Sequence, residues 1–173
     1  MVNLRPATPA DAPVILRFIR ELAHYEREPD AVIATEADLL RDGWSLAPDG
    51  TPLSPQVPAR FSAVMAELDG ECAGFALYFT SYSTWLGRHG IRLEDLYVTP
   101  ALRGRGIGKA LLAHLAQVAL EQGCQRLEWD VLTWNEPAIA VYERLGAVTQ
   151  TEWRIMRVTG EALRSLAAAN EVP

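Results

Sequence analysis

Apolar residues recur along the chain at two spacings, and each spacing predicts a different kind of element. Repeats every three or four residues are typical of one helix face, and two such stripes occur, at Val14, Ile15, Phe18, Ile19 and Leu22 and at Ile107, Leu111, Leu115 and Val118. We predict helices that begin after Thr8 and after Thr35, and helices over 106–122, 137–145 and 161–169. Runs rich in apolar and β-branched residues predict strands at 2–5, 61–68, 72–80, 91–98, 126–132 and 148–158.

The order of these elements predicts a sheet of mixed strand direction. Asp69-Gly70, between two predicted strands, is a favoured pair for a tight turn and indicates an antiparallel hairpin. The strand–helix–strand unit over 91–132 indicates a parallel pair joined by a right-handed crossover. We therefore expect an α/β fold with a mixed, mostly antiparallel central sheet, one parallel pair and helices on both faces. No repeat or long linker divides the sequence, so a single domain over residues 1–173 is expected.

The composition narrows the classes of function. The 173 residues carry a formal net charge of −6, which argues against nucleic-acid binding because that function calls for a basic patch. No apolar run reaches the roughly 20 residues of a membrane span, and the first residues lack the pattern of a secretory signal. Cys72 and Cys124 form no metal-type pair, and His24, His89 and His114 show no metal spacing. We expect a cytoplasmic protein with free thiols and without a metal, a membrane or a nucleic acid as partner.

The segment with the strongest chemical signal is the glycine-rich run from Arg103 to Lys109, between a predicted strand and a predicted helix. Alternating glycines let the backbone approach a ligand closely, and the start of a helix favours an anion such as a phosphate. A Walker A loop would need a glycine at position 103. A dinucleotide fingerprint would need wider glycine spacing, earlier in the chain. A glycine-rich turn without a ligand also fits the glycines taken alone.

The surrounding motifs resemble those of one enzyme superfamily. Residues 103–109 (RGRGIGK) match the Arg/Gln-x-x-Gly-x-Gly/Ala signature of the GNAT acetyltransferases. The segments 93–98 (LEDLYV), 135–138 (NEPA) and 142–147 (YERLGA) resemble that family's central strand and its second cofactor motif. The likeness is closer to the diamine (spermidine/spermine) and thialysine N-acetyltransferases, through residues 5–8 (RPAT), 21–26 (ELAHYE), 38–40 (DLL) and 134–137 (WNEP). The resemblance therefore extends from Leu4 to about Arg157 and implies the GNAT fold.

The resemblance implies acetyl-CoA as co-substrate. Its pyrophosphate would lie on the glycine-rich run, and its pantetheine amides would pair with the backbone of the strand before that run. The residues implied to bind it are Leu96, Tyr97, Val98, Arg103, Gly104, Arg105, Gly106, Ile107, Gly108, Lys109, Asn135, Glu136, Pro137, Ala138 and Tyr142.

Acetyl transfer to an amine requires that the amine lose a proton and that the departing thiolate gain one. Glu94 and Asp95 are neighbouring carboxylates in an otherwise apolar strand, and adjacent strand residues face opposite sides. The resemblance selects Glu94 as the residue that accepts the amine proton, directly or through a water. A structural ion pair is the alternative role for either carboxylate, and it is the expected one for Asp95. It likewise assigns Tyr142 as the group that protonates the thiolate.

The acceptor implied by the resemblance is a small-molecule primary amine. The residues implied to hold it are Tyr25, Glu26, Ser83, Trp85, Glu94, Glu128, Trp129, Asp130 and Glu152. Carboxylates can hold ammonium groups, and aromatic faces attract cations.

Before Trp85 the sequence departs from the polyamine branch. Polyamine enzymes carry an acidic residue there, whereas this chain has Ser83-Thr84, as in the thialysine branch. We therefore expect an amino-acid-like diamine as acceptor, with a polyamine as the alternative. A non-catalytic acetyl-CoA sensor is a further alternative, disfavoured because Glu94 and Tyr142 are both present. The resemblance also implies a homodimer.

Overall fold

A computed structural model of the protein describes residues 1–54 and 58–169, and the chain divides into two units, residues 1–132 and 133–173. The strands of the first unit are β1 (Val2–Pro6), β2 (Ser62–Leu68), β3 (Glu71–Ser83), β4 (Arg88–Val98) and β5 (Leu127–Glu128). Its helices are α1 (Ala12–Tyr25), α2 (Glu36–Trp44) and α3 (Ile107–Glu121). The second unit contains α4 (Glu136–Arg144) and α5 (Gly160–Ala168). The expectation of a single domain over the whole chain stays a prediction.

The strands form one sheet in the order β1-β2-β3-β4-β5. The first three pairings are antiparallel, and β4 pairs with β5 in parallel through Ile91–Leu127 and Arg92–Glu128. The predicted mixed, mostly antiparallel sheet with one parallel pair is thereby confirmed. The right-handed twist of such a sheet requires primed turns in its tight hairpins, and Asp69 and Gly70 supply them with φ of 54° and 86°.

The apolar stripe of α1 packs on one face of this sheet. Ile15 and Phe18 are fully buried. The Phe18 ring stacks on Phe75 at 5.8 Å between centroids and contacts the tilted Tyr97 ring at 5.3 Å. Burying a side chain of this size contributes about 1.5–3 kcal/mol. The α3 side has its own buried cluster, which includes Ile91 and Ala119. Since strand residues alternate between faces, α1 and α3 cover opposite faces of β3 and β4.

Hydrogen bonds between Thr35 and Asp38 determine where α2 begins. The Thr35 hydroxyl accepts the Asp38 N–H at 3.2 Å, and the Asp38 carboxylate accepts the Thr35 N–H at 3.0 Å. Each end of this capping box satisfies a backbone donor that α2 would otherwise leave unpaired.

The last part of the chain differs from the sequence prediction. Helices α4 and α5 lie close to their predicted ranges, but no strand is assigned to residues 148–158, and β5 is only two residues long rather than 126–132. A strand needs a hydrogen-bonded neighbour, and within the described part of the second unit no other strand is available. The predicted late strands are therefore not confirmed. Within residues 1–54 and 58–169, no helix combines the length and apolar character needed to cross a bilayer.

Candidate active site

Two glycines of the run from Arg103 to Lys109 are required by the backbone between β4 and α3. Gly104 has a φ of 77°, and Gly106, the N-cap of α3, has a φ of 81°. These left-handed conformations cost little only for glycine. The resulting turn leaves the first N–H groups of α3 without helical partners, at the positive end of the helix dipole.

Gly108 serves a different purpose because it lies inside α3. A Cβ built there would be 3.8 Å from Leu96 Cδ2 and Val98 Cγ2, which is ordinary van der Waals distance. The fold therefore tolerates a side chain at Gly108. Its absence keeps the first turn of α3 open to a ligand approaching from the strand.

We expect Gly106→Ala and Gly108→Ala to affect stability in opposite directions. Gly106→Ala forces a Cβ into a left-handed conformation and should destabilise the fold by about 1–2 kcal/mol. Gly108→Ala should be neutral or stabilise the fold by up to about 1 kcal/mol, because alanine favours helix. Thermal melts measure both effects, and titration with acetyl-CoA should show weaker binding for Gly108→Ala despite its intact fold. Equal melting temperatures for the two variants would contradict this assignment.

Arg103, predicted to bind the cofactor, is engaged within the first unit. Its Nε donates to the Val98 carbonyl at 3.0 Å, and its guanidinium carbon lies 4.9 Å from the Tyr25 ring centroid and 6.0 Å from that of Tyr97. Arg103 therefore ties the glycine-rich run to the end of α1, where the predicted acceptor residue Tyr25 lies. Arg105 and Lys109 are exposed at the start of α3.

The Tyr97 side chain belongs to the core. It is buried against Phe18, and its hydroxyl donates to Glu21 at 2.7 Å. Burial, with the neighbouring Glu21 carboxylate, raises the pKa of Tyr97 to about 12. Only the Tyr97 backbone is thus available for the predicted cofactor contact. Leu96 and Val98 are half-buried toward α3.

Glu94 is the extra residue of a β-bulge. Leu77 of β3 pairs with Asp95, and the next residue, Tyr78, pairs with Leu93, so Glu94 has no partner and is exposed. The bulge interrupts the regular alternation of side chains, which had led us to expect that Glu94 and Asp95 face opposite sides of the sheet. Bulges commonly redirect side chains beside active sites.

Asp95 is the carboxylate that the bulge places in the most unusual environment. It lies opposite Leu77, which packs in the α1 core, so Asp95 shares the α1 face of the sheet. Burial, followed by the charges of Glu94 and Glu26, raises the pKa of Asp95 to about 6. Burial also raises the pKa of Glu26, the residue that follows α1. The expectation that Asp95 belongs to a structural ion pair stays a prediction, and the neighbouring charges that raise its pKa are those of Glu94 and Glu26.

The predicted acceptor residues of β5 and its continuation are paired with arginines. Glu128 accepts from the Ser81 hydroxyl at 3.1 Å and forms an ion pair with Arg126 at 3.1 Å. Asp130 accepts from Arg92, and Trp129 between them is half-buried.

Ser83 and Trp85 lie at the far end of the β3–β4 hairpin. Ser83 is buried, pairs with Arg88, and accepts the Leu86 N–H at 3.3 Å. Arg88 precedes Glu94 by six residues, roughly 20 Å along a strand. Within one chain, the first unit does not bring Ser83 and Trp85 to the carboxylates near the bulge.

The second unit holds the other predicted residues. Asn135 is the N-cap of α4, and its carbonyl accepts the Ala138 N–H at 3.0 Å; Glu136 and Pro137 form the first turn. Tyr142 is half-buried on the same helix, and Glu152 is exposed after it. Proline suits a first helical turn because its missing N–H would have no partner there.

Sequence reasoning missed Asp95, Arg92 and Arg126 as site residues. The pair Glu94-Asp95 was a visible signal, but the bulge that determines their directions depends on the register with β3. Arg92 and Arg126 carry no motif, and only the pairing of β4 with β5 brings them beside the predicted carboxylates.

A separate cleft of about 440 Å³ lies among β2, α2 and α3, with Trp44, Phe61, Tyr78 and His114 in its walls. None of the predicted site residues is among the described residues that line it. Glu121 is the one carboxylate among the described residues of its walls, and the glycine-rich run 103–109 is not among them.

Comparison with known proteins identifies the family of this chain. A family model described as "Acetyltransferase (GNAT) family" matches residues 22–147, which include the end of α1, the bulged strand, the glycine-rich run and α4. The chain belongs to the GNAT acetyltransferase family.

Individual relatives of this GNAT protein cover nearly its whole length. The bovine thialysine N-epsilon-acetyltransferase is 44% identical over 170 residues, spanning 96% of this chain and 97% of the relative. The L-ornithine N5-acetyltransferase of Arabidopsis thaliana is 32% identical and covers 97% of this chain and 89% of its own. Among solved structures, an integron cassette protein of V. cholerae superposes with a TM-score of 0.74 at 26% identity, covering 96% and 97% of the two chains.

This GNAT chain is therefore an N-acetyltransferase, and enzymes of this family use acetyl-CoA. The residues present fit that co-substrate. The left-handed glycines, the unpaired N–H groups at the start of α3, and the bare Gly108 form a backbone cradle of the kind that a pyrophosphate binds.

Proposed function

We propose that this GNAT enzyme acetylates the distal primary amine of a small amino-acid-like diamine, such as thialysine. The observation that carries the proposal is the cluster of Glu26, Glu94 and Asp95 at the bulge of β4, the strand that leads into the glycine-rich run. A desolvated carboxylate beside two others is stabilised when an ammonium group binds. The relatives named for thialysine and ornithine acetylation support an acceptor of this class.

Bound acetyl-CoA would supply the acetyl group as a reactive thioester. We assign its pyrophosphate to the backbone of 103–109, with Arg103, Arg105 and Lys109 adding positive charge. The backbone of Leu96, Tyr97 and Val98 would pair with the pantetheine amides, and Asn135, with Glu136, Pro137 and Ala138, would contact the cofactor from α4. For Tyr97 only the backbone would take part, because its side chain is committed to Phe18 and Glu21.

The carboxylates prepare the amine for attack. The acceptor would enter as an ammonium ion held by Glu26 and Asp95, with the Tyr25 ring beside them. Glu94 would take one proton from it, directly or through a water, so that the neutral nitrogen can attack the thioester carbonyl. The N–C bond forms as the C–S bond breaks, and the Tyr142 hydroxyl would give its proton to the departing thiolate.

We assign three further residues to the head group of the acceptor. Glu128 lies on β5 beside β4, and Trp129 and Asp130 directly follow it. Ser83, Trp85 and Glu152 stay predictions, as do the homodimer and the cytoplasmic location. A polyamine acceptor is the second candidate, since a human spermidine/spermine N(1)-acetyltransferase-like protein is 36% identical over 95% of this chain and 24% of its own.

Release of the free CoA thiol from acetyl-CoA tests the proposal. We expect turnover to be faster with aminoethylcysteine (thialysine) than with spermidine or putrescine. Tyr142→Phe should lower kcat by about tenfold or more, because the phenol no longer protonates the leaving group. Tyr82→Phe, at an exposed tyrosine of β3, is the matched control and should leave kcat unchanged. Faster turnover of spermidine would transfer the assignment to the polyamine candidate, and no turnover with any amine would overturn the proposed function.

A further inference from the structure

Two arginines and two carboxylates lie together where β4 meets β5. Arg92 of β4 donates to Asp130, and Arg92 is directly opposite Glu128 in the parallel register. Glu128 is held in turn by Arg126 and by the Ser81 hydroxyl. Gly90 makes room for this arrangement, because a Cβ there would lie 2.9 Å from Arg126 Cγ. We call Arg92, Arg126, Glu128 and Asp130 the charged cluster.

The bulge places the charged cluster and Asp95 on the same face of the sheet. Arg92 and Asp95 are three positions apart, so in a regular strand they would face opposite sides. With Glu94 as the extra residue, Asp95 pairs with Leu77 and Arg92 pairs with Phe79. Leu77 and Phe79 are alternate residues of β3 and share a face, so Asp95 and Arg92 do as well.

The separation of these two positions fits an amino-acid acceptor. Two residues along β3 correspond to about 7 Å, a span comparable to the extended side chain of lysine or ornithine. An acceptor whose distal amine lies at Asp95 and Glu94 would therefore have its α-carbon near Arg92 and Glu128.

The charges of the cluster match the α-substituents of an amino acid. Arg92 already binds a carboxylate, that of Asp130, whose side chain is 51% exposed, whereas the Arg92 side chain is 27% exposed. Exposed ion pairs contribute only about 0–1 kcal/mol, so a substrate carboxylate can replace Asp130 at little cost. The planar guanidinium binds a carboxylate through two parallel hydrogen bonds. Glu128, on the neighbouring strand about 5 Å away, can accept the α-ammonium.

We infer that Arg92 determines acceptor specificity by binding the α-carboxylate of an amino-acid acceptor in place of Asp130, while Glu128 binds its α-ammonium. This inference rests on the proposed function, and it deepens it by assigning the head-group subsite. The cluster has no net charge, because its two arginines balance its two carboxylates. It therefore favours a zwitterionic head group over the extra ammonium groups of a polyamine.

The test compares each amino acid with the diamine that lacks only its carboxylate: ornithine with putrescine, and lysine with cadaverine. We expect Arg92→Gln to lower kcat/KM for ornithine and lysine by about tenfold or more, the value of one lost charge-assisted hydrogen bond. The values for putrescine and cadaverine should stay the same or rise, since these diamines have no carboxylate for Arg92 to bind and the variant cluster carries one net negative charge. Arg88→Gln removes the same charge from an exposed position four residues earlier on β4. This control should leave the kcat/KM ratios of ornithine to putrescine and of lysine to cadaverine unchanged.

A second variant, Asp130→Asn, should increase the preference for ornithine over putrescine. Asp130→Asn removes the internal carboxylate that competes for Arg92 and leaves the cluster with one net positive charge. The KM for ornithine should therefore fall, while that for putrescine stays the same or rises. Melting temperatures of all variants separate specificity from loss of fold.

The outcomes distinguish the subsite from the proposed function. Turnover of amino acids and diamines with ratios unaffected by Arg92→Gln and Asp130→Asn would overturn the subsite and leave the proposed function intact. If no amine is turned over, the proposed function fails, and calorimetric binding of ornithine and putrescine to wild type and Arg92→Gln decides the subsite. Equal ornithine affinity of wild type and Arg92→Gln would overturn it.

Discussion

Asparagine in place of Asp95 is expected to stabilise the fold while it impairs acetyl transfer. At pH 7.5 we expect the free energy of unfolding to rise by about 1–3 kcal/mol, from a pKa that the fold raises by about two units. For a chain of this size each kcal/mol corresponds to about 2–4 °C in melting temperature. An increase in stability on losing a charge would identify Asp95 as a residue retained for function rather than for folding.

The direction of the pH dependence follows from whether the folded or the unfolded state holds the Asp95 proton. The pKa of Asp95 rises from 3.8 to about 6 on folding, because burial and the charges of Glu94 and Glu26 disfavour its ionised form. Between these two values the folded state holds a proton that the unfolded state has released, so stability falls as pH rises. Above about pH 6 the full penalty is present. The gain from Asp95→Asn should therefore be absent near pH 3.5, grow up to about pH 6 and then stay constant.

Thermal melts of wild type and Asp95→Asn across pH 3.5–8 measure this profile. Glu94→Gln is the matched control, since Glu94 is the adjacent carboxylate and is exposed. It should change stability little while lowering turnover. A pH-independent difference between wild type and Asp95→Asn would contradict the linkage, and a loss of stability would show that the Asp95 carboxylate has a partner in solution.

Activity should depend on the same ionisation. An acceptor ammonium binds the ionised carboxylate, so the KM for the amine should rise as pH falls below about 6 in wild type. Asp95→Asn should abolish that dependence and raise the KM throughout. The variant would then be more stable and less active, the trade-off expected when a site is held in an unfavourable electrostatic state.

The parts of the fold that local sequence determines were predictable. The Asp69-Gly70 turn requires only the two residues whose φ values are positive, and the Thr35 cap requires only Asp38 three residues later. The glycine-rich run was recognisable for the same reason, since Gly104 and Gly106 adopt conformations that other residues avoid.

The parts that depend on two strands at once were not predictable. Whether Glu94 or Asp95 faces α1 depends on the register of β4 against β3, which no property of residues 88–98 reveals. The pairing of Arg92 with Asp130 likewise joins residues 38 positions apart. Tyr97 shows a different limit of sequence prediction. Its motif predicts a cofactor contact through the backbone and does not reveal that the ring packs in the core.

Removing the carboxylate of Asp11 should have the opposite effect to removing that of Asp95. We expect Asp11→Ala to destabilise the fold by about 2 kcal/mol at pH 7, the free energy that corresponds to a pKa lowered from 3.8 to about 2. Asp11 is buried and accepts from Arg5 at 2.7 Å and 2.8 Å, and from the Thr8 N–H at 2.7 Å. The substitution leaves two arginine donors and one helix-cap donor without this acceptor.

The stability contributed by Asp11 depends on pH in the opposite direction to the penalty from Asp95. Hydrogen bonds from Arg5, followed by those from Thr8, lower the pKa of Asp11 from 3.8 to about 2, even though burial opposes the shift. The stability that Asp11 contributes is therefore fully present above about pH 4 and is lost as pH falls through about 2. The difference between wild type and Asp11→Ala should shrink only in that acidic range.

Chemical denaturation at several pH values measures the Asp11 effect. Glu67→Gln is the control, because Glu67 accepts from the same Arg5 at 2.6 Å but is half-buried where Asp11 is buried, and it should cost less. Asp11→Ala should leave kcat/KM unchanged below its melting temperature, since Asp11 precedes α1 and is not among the predicted site residues. Similar losses from both variants would show that Arg5, rather than the burial of Asp11, determines the energy. Asp11 and Asp95 are the same residue type, but hydrogen-bond donors surround the Asp11 carboxylate, whereas the charges near Asp95 are those of two other carboxylates. The charge of Asp11 should therefore stabilise the fold, and that of Asp95 should destabilise it.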